Sequence, residues 1–116
     1  GAIVNISSIL GLKPQGLPQA AYASSKAGLI GLTRDLAAQW TGRKNIRVNA
    51  LAPGFFPSEM SDELPKDMVN MIKMFTPAGR LGDPEELAAT LIWLVSDASS
   101  YVTGITVPVD GGLVMP

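Results

Sequence analysis

Short apolar runs alternate along this chain with longer stretches in which apolar residues recur every three or four positions. Residues 2–6 (AIVNI) form the first run, and their β-branched side chains predict a strand buried on both faces and closed by Ser7-Ser8. Residues 9–19 hold two glycines and two prolines and predict a loop. From Ala20 to about Trp40, Tyr22, Lys26, Leu29, Leu32, Thr33, Leu36 and Trp40 recur at helical spacing, so a helix is expected, stopped by 42–44. Residues 46–51 predict a second strand that ends at Pro53-Gly54, and 55–75 a longer excursion with short helices. In GDPEELAATLIWLVSD a helix has a legible start: Asp83 caps it, Pro84 suits the first helical position and Glu86 completes a capping box. GITVPVDGG predicts a third strand with Asp110-Gly111-Gly112 as the turn after it; Pro108 cannot donate to a ladder, so this strand belongs at a sheet edge.

The order β-α-β-α-β with long connections is that of an α/β fold with parallel strands. No internal repeat, low-complexity tract or linker divides it. In open sheets of this kind ligands bind beyond the carboxyl ends of the strands. Two such ends are marked, Ser7-Ser8 and Pro53-Gly54, and the helix bearing Tyr22 and Lys26 starts at the same edge. Ser8, Tyr22, Lys26 and Pro53-Gly54 are therefore expected to converge.

Composition narrows the chemistry available there. The chain has 116 residues, 47% hydrophobic and 16% charged, with a formal net charge of −1, enough for one globular unit. The near-neutral balance gives no electrostatic case for nucleic acid or an anionic membrane. With no cysteine there is no disulfide framework, and with no histidine the usual neutral-pH acid/base is missing. Proton transfer must use Tyr, Lys, Asp, Glu or Ser. No apolar run approaches the roughly 20 residues of a membrane span and nothing resembles a signal peptide, so the expected location is cytoplasmic. The chain does not begin with Met and opens directly on a strand, which reads as a piece of a longer protein.

Tyr22 and Lys26 share one helix face at a spacing of four residues. An ammonium beside a phenol favours phenolate and lowers a pKa that is about 10 unperturbed, making the tyrosine a usable general acid or base. A serine at the strand end can anchor a substrate oxygen. Such a site lacks a metal and a covalent nucleophile, and a carbonyl-to-alcohol conversion on it needs a hydride, which implies a nicotinamide. Each element also has a plain reading. The pair can be a half-buried ring with a solvated ammonium, the serines a strand terminus that satisfies loop backbone, and Pro53-Gly54 only a turn. Glu59, Asp62, Glu63 and Asp67 read as a solvated face rather than a metal site. Residues 55–75 carry four of the five methionines, and either line an apolar or mixed substrate pocket or pack lid helices onto the sheet.

The segments IVNISS, YASSK, RVNALAPGFFPSEM, PAGRLGDPEELAATLIWLVSD and YVTGITVPVDGG, in this order over essentially the whole chain, resemble the C-terminal, catalytic half of a short-chain dehydrogenase/reductase, similar to 3-oxoacyl-carrier-protein reductases and sugar-acid or polyol dehydrogenases. The resemblance implies a single partial domain over 1–116, the C-terminal portion of a doubly wound parallel-sheet (Rossmann-like) fold with a lid over 55–75. It implies NAD(H) or NADP(H) as cofactor and a small-molecule carbonyl or alcohol as substrate. Tyr22 would be the catalytic acid/base. Lys26 would tune it and hold the nicotinamide ribose. Ser8 would polarise the substrate oxygen, with Ser7 as the fallback. Pro53 and Gly54 would shape the loop under the nicotinamide, the backbone of Phe56 would meet the carboxamide, and Ser58 would contact the cofactor amide or phosphates. Pairing of the 20–40 helix across a two-fold axis and an apolar tail, GGLVMP, imply a homodimer or homotetramer for the intact protein.

Two features depart from the family pattern. The interval from Ser8 to Tyr22 is one residue longer than usual, which places an insertion in the 13–18 loop. The N-terminal features are not in these residues: the glycine-rich phosphate turn, the residue that selects NAD or NADP, and the asparagine of the proton relay. Besides the oxidoreductase, two other readings stay open: a non-catalytic oligomerising half-fold with a vestigial site, and a lyase or epimerase built on the same Tyr-Lys pair.

Overall fold

A computed structural model of the chain describes residues 1–16, 18–57 and 65–115. Its centre is a parallel sheet of three strands in the order β1-β2-β3: β1 is Ala2–Ile6, β2 is Arg47–Pro53 and β3 is Thr106–Val109. Ile6 pairs with Leu51, and Pro53 pairs with Val109, so the carboxyl ends of all three strands lie at one edge.

The middle strand reads RVNALAP because both its faces are covered. Val48, Ala50 and Ala52 are fully buried on one face, and Asn49 and Leu51 nearly so on the other. Strand periodicity puts Asn5 on the Val48 and Ala50 side. There its amide donates to Thr33 Oγ1 at 3.0 Å, which seats α1 (Ala20–Lys44) on that face. The opposite face takes α3 (Pro84–Val95), whose Leu94 is fully buried, and the second of two short 3-10 turns, Asp97–Ser99. Each large aliphatic side chain buried this way contributes about 1.5–3 kcal/mol.

Arg47 and Asn49 pin the α3–β3 connection. The Arg47 guanidinium donates to Ser99 Oγ, Val102 O and Ser96 O at 3.0–3.1 Å. The Asn49 amide donates to Val102 O and accepts from the Ile105 amide.

The expected capping box forms as read. Glu85 N–H donates to Asp83 at 3.0 Å, Asp83 N–H donates to Glu86 Oε1 at 3.0 Å, and Pro84 opens α3. Strand β3 lies at the sheet edge, as Pro108 requires. The carbonyls of Ile105 and Val109 accept from Ala50 and Gly54, so alternation turns the imide nitrogen of Pro108 away from β2.

Three expectations change. β1 is not buried on both faces: it is the other outer strand, and Ile3 and Ile6 are 36% and 46% exposed. Helix α1 runs through 42–44 and stops at Asn45, which takes the left-handed conformation at φ 55°, with Arg43 and Lys44 in the last turn. Its buried stripe is Ile30, Thr33 and Ala37, while Tyr22 and Leu32 are more than two-fifths exposed. β2 ends at Pro53, where the sequence marks its end. In the excursion one helix is described, α2 (Lys66–Phe75); it is amphipathic, yet none of its residues is fully buried.

Candidate active site

The backbone leaves β1 in extended form, and the Ser7 amide still bonds Leu51 O at 2.8 Å. Ser8 stays extended at φ −164° and caps the first 3-10 turn, Ile9–Gly11, accepting from the Leu10 amide at 3.2 Å. Both serines are buried, at 2% and 7% exposure, and their roles diverge. Ser7 Oγ donates its proton to Lys26 O at 2.8 Å. Ser8 Oγ acts only as an acceptor among the described residues, which leaves its own O–H to donate elsewhere.

Lys26 and Tyr22 stand one helical turn apart near this serine pair. The Lys26 ammonium lies over the Tyr22 ring, 5.5 Å from its centroid, and donates to Ile6 O at 3.0 Å. Among the described residues, two of its three N–H groups are left for other acceptors. The ring is 42% exposed, so the phenol is accessible. Ser7, Tyr22 and Lys26 are thus linked at the carboxyl end of β1, with Ser8 the next residue along the chain.

Pro53-Gly54 leaves the adjacent strand at the same edge, and the Gly54 amide bonds Val109 O at 2.9 Å. A Cβ on Gly54 would stand 2.7–2.8 Å from Asp110, so this glycine is required by the approach of β2 to the turn after β3. The Phe56 ring packs on Gly82, where there is no room for a Cβ, and the Gly82 amide donates to Phe55 O at 3.0 Å. Ser58, Glu59, Asp62 and Glu63 lie outside the described residues.

A cleft of about 420 Å³, open to solvent, lies beyond the ends of β2 and β3. Phe55, Phe56, Thr76, Arg80, Leu81 and Asp110 line it; Ser8, Tyr22 and Lys26 do not. Tyr22, Lys26 and the serine pair are therefore neighbours of this cleft along one sheet edge and do not line it.

Arg80 and Glu86 form a bidentate pair on the cleft wall, at 2.7 and 3.0 Å. The Arg80 hydrogen bond, followed by the Asp83 amide, holds the Glu86 carboxyl down to about 2. The Glu86 hydrogen bond raises the Arg80 guanidinium further. Glu86 was legible as a capping residue; its second bond to Arg80 was not, although the R-x-x-x-x-x-E spacing was there to read.

Comparison with known proteins places these features. A family model described as enoyl-(acyl carrier protein) reductase matches residues 1–114. The 3-oxoacyl-[acyl-carrier-protein] reductase of Thermotoga maritima is 49% identical over 116 residues, covering 99% of this chain and 46% of that protein. The human (3R)-3-hydroxyacyl-CoA dehydrogenase is 47% identical over 115 residues, covering 99% and 43%. Among solved structures, the 3-oxoacyl-[acyl-carrier protein] reductase of Brucella melitensis superposes with a TM-score of 0.94 at 42% identity, over all of this chain and 43% of that one. A gluconate 5-dehydrogenase from Burkholderia cenocepacia in complex with NADP and tartrate gives 0.91 at 38%, over 97% and 44%. The chain spans less than half the length of each of these relatives. Matched by the family model over residues 1–114 and by these relatives over nearly its whole length, the chain belongs to the short-chain dehydrogenase/reductase family.

Proposed function

We propose that this chain is the catalytic part of an oxidoreductase that interconverts a ketone and a secondary alcohol, with Tyr22 as acid/base, Lys26 as its cationic partner and Ser8 as the oxygen anchor. The observation that carries the reading is the placement of the Lys26 ammonium over the Tyr22 ring beside a serine whose hydroxyl proton is uncommitted. In the reduction direction the Ser8 O–H donates to the substrate carbonyl, drawing electrons from its carbon. Tyr22 gives its phenolic proton to the oxygen as charge develops there. The nearby ammonium stabilises the negative charge left on the phenol.

A nicotinamide, NAD(H) or NADP(H), would supply the hydride. The residues present fit the nicotinamide-ribose end of such a cofactor. The two N–H groups of Lys26 that bond nothing among the described residues suit the ribose hydroxyls, and the loop from Pro53 through Phe56 leaves the neighbouring strand at the right edge; Ser58, outside the described residues, is the further contact that the resemblance implies. No glycine-rich phosphate turn occurs in the 116 residues, so the pyrophosphate end would be held by another part of the protein. The chain acts, on this reading, as a single partial domain with 55–75 as a lid. The protein is a cytoplasmic homodimer or homotetramer; the exposed, Ala- and Gly-rich sides of α1 support an oligomer, and no described helix is long and apolar enough to cross a membrane.

The test is to join this chain to the portion of the Thermotoga maritima reductase that it does not cover, and to assay the product with NADPH and NADH. A 3-oxoacyl thioester, an enoyl thioester and a sugar acid would be offered. The expected result is ketone reduction with one cofactor oxidised per alcohol formed, slowed at least about 10²-fold by Tyr22→Phe. Reduction of the enoyl thioester alone, or turnover that Tyr22→Phe leaves unchanged, would refute the assignment.

A further inference from the structure

We infer that Ser7 and Gly11 form a cradle that sets the height of the helical turn carrying Lys26, and so act as positioning residues for the Tyr22–Lys26 pair; the inference rests on the functional reading of that pair given above. Three contacts meet on this one turn. Ser7, 2% exposed, donates its hydroxyl proton to the Lys26 carbonyl at 2.8 Å. In the opposite sense, the Lys26 ammonium donates to the carbonyl of Ile6, the residue before Ser7, at 3.0 Å. Gly11 then approaches so closely that a Cβ there would stand 2.9 Å from Ala27 N and Lys26 C, and 3.1 Å from Lys26 O. All three are backbone atoms of a helix, which cannot swing aside as the end of a long side chain can.

The support behind Gly11 is also rigid. Ser8 caps the 3-10 turn through the Leu10 amide, and the amides of Gly11 and Leu12 close that turn onto Ser8 O and Ile9 O. The two serines therefore divide the work. Ser8 shapes the turn that presents Gly11, and Ser7 ties the helix to the strand end directly. Among the described residues, the side-chain and close backbone contacts on the turn holding Lys26 come from residues 6–11.

Other positions on α1 lack this treatment. Cβ atoms on Gly28, Gly31 and Gly42 would meet nothing within 4 Å, and the Ser24 and Ser25 hydroxyls bond back to their own helix. Beyond the cradle, the next polar tie to β1 is Thr33, through Asn5. The tight packing is thus concentrated where the ammonium must meet both a phenol and a ribose, and misplacement by about 1 Å can cost 10²-fold in rate.

The test uses Ser7→Ala, Gly11→Ala and Ser7→Thr in the joined enzyme described above. Two measurements are made: steady-state kinetics for ketone and cofactor, and amide hydrogen exchange in the peptide spanning 24–30 compared with that of α3. We expect kcat to fall about 10-fold for Ser7→Ala and up to about 100-fold for Gly11→Ala, with a raised KM for the cofactor. Ser7→Thr, which keeps the hydroxyl, should recover most of the loss. Exchange over 24–30 should quicken in both alanine variants while α3 stays protected. A lower unfolding temperature with unchanged kcat per folded molecule would overturn the inference, and so would exchange that is unaltered or quickened uniformly. If the unaltered enzyme reduces no ketone, the functional reading fails, and the exchange result still decides the cradle.

Discussion

Lys26 addresses two partners at once: its ammonium lies over the Tyr22 ring, 5.5 Å from the centroid, while bonded to the Ile6 carbonyl at 3.0 Å. The bond to the strand end anchors a side chain that would otherwise sweep a wide arc. Lys26→Met keeps most of the packing and loses the charge, so it separates the two roles. Tyr22→Phe and Lys26→Met should each lower kcat of the joined enzyme by about 10²–10⁴-fold with little change in unfolding temperature. Steady-state assay beside a thermal melt checks both.

Ser8→Ala removes the O–H proposed to anchor the substrate oxygen and also the acceptor of the Leu10 amide. The expected result is a kcat loss of about 10²-fold together with a stability loss of about 1 kcal/mol. A variant that loses stability while keeping its rate would show that Ser8 serves only as a cap.

The Arg80–Glu86 pair gives the pH dependence. Glu86 ionises at about 2 in the fold against an ordinary 4.5, because Arg80 and the Asp83 amide stabilise its anion. A depressed carboxyl contributes stability that is complete above the unfolded value and disappears as pH falls through the folded one. The contribution should therefore fade between pH 4.5 and about 2. Both side chains are about half exposed, so the effect is screened and small. Denaturant melts across this range should show a component that is missing in Glu86→Gln and weakened in concentrated salt.

Arg47 binds three neutral acceptors rather than a carboxylate: two carbonyls and a hydroxyl on the segment 96–102. Arg47→Met should cost about 2–4 kcal/mol, since it removes three charge-assisted hydrogen bonds at once and leaves the Asn49 amide alone to hold Val102 O. Arg47→Lys should recover little, because an ammonium cannot span them in one plane. Urea unfolding is the measurement.

Gly54→Ala should destabilise by about 1–3 kcal/mol, because its Cβ would meet the Asp110 backbone at 2.8 Å. The same change should perturb the loop through Phe56. Melts and cofactor titration, run together, separate the two effects.

The parts of this architecture that were readable in advance are those written locally. Asp83, Pro84 and Glu86 announce a helix start within four residues, and Pro108 announces an edge strand by its missing N–H. The end of α1 is not legible in this way, because Gly42 looks like a stop while Asn45 supplies the left-handed cap. Its buried face is not legible either, because periodicity fixes a helix's stripe only up to rotation. The choice of Ile30, Thr33 and Ala37 is made by contacts such as Asn5 to Thr33, 28 residues apart. For the same reason Tyr22, Lys26 and Ser8 were legible as a set, while the contribution of Gly11 was not. It exists only once a turn from one end of the loop is laid against a helix beginning at the other.

Pro108 has one more consequence. Its imide nitrogen points away from β2, so the outer rim of β3 presents a broken row of donors. At the opposite rim, Ala2 and Val4 turn intact peptide groups outward, beside the exposed Ile3 and Ile6. The sheet therefore has a polarity of growth: a further strand can register beside β1 along its full length, whereas beside β3 it meets a gap.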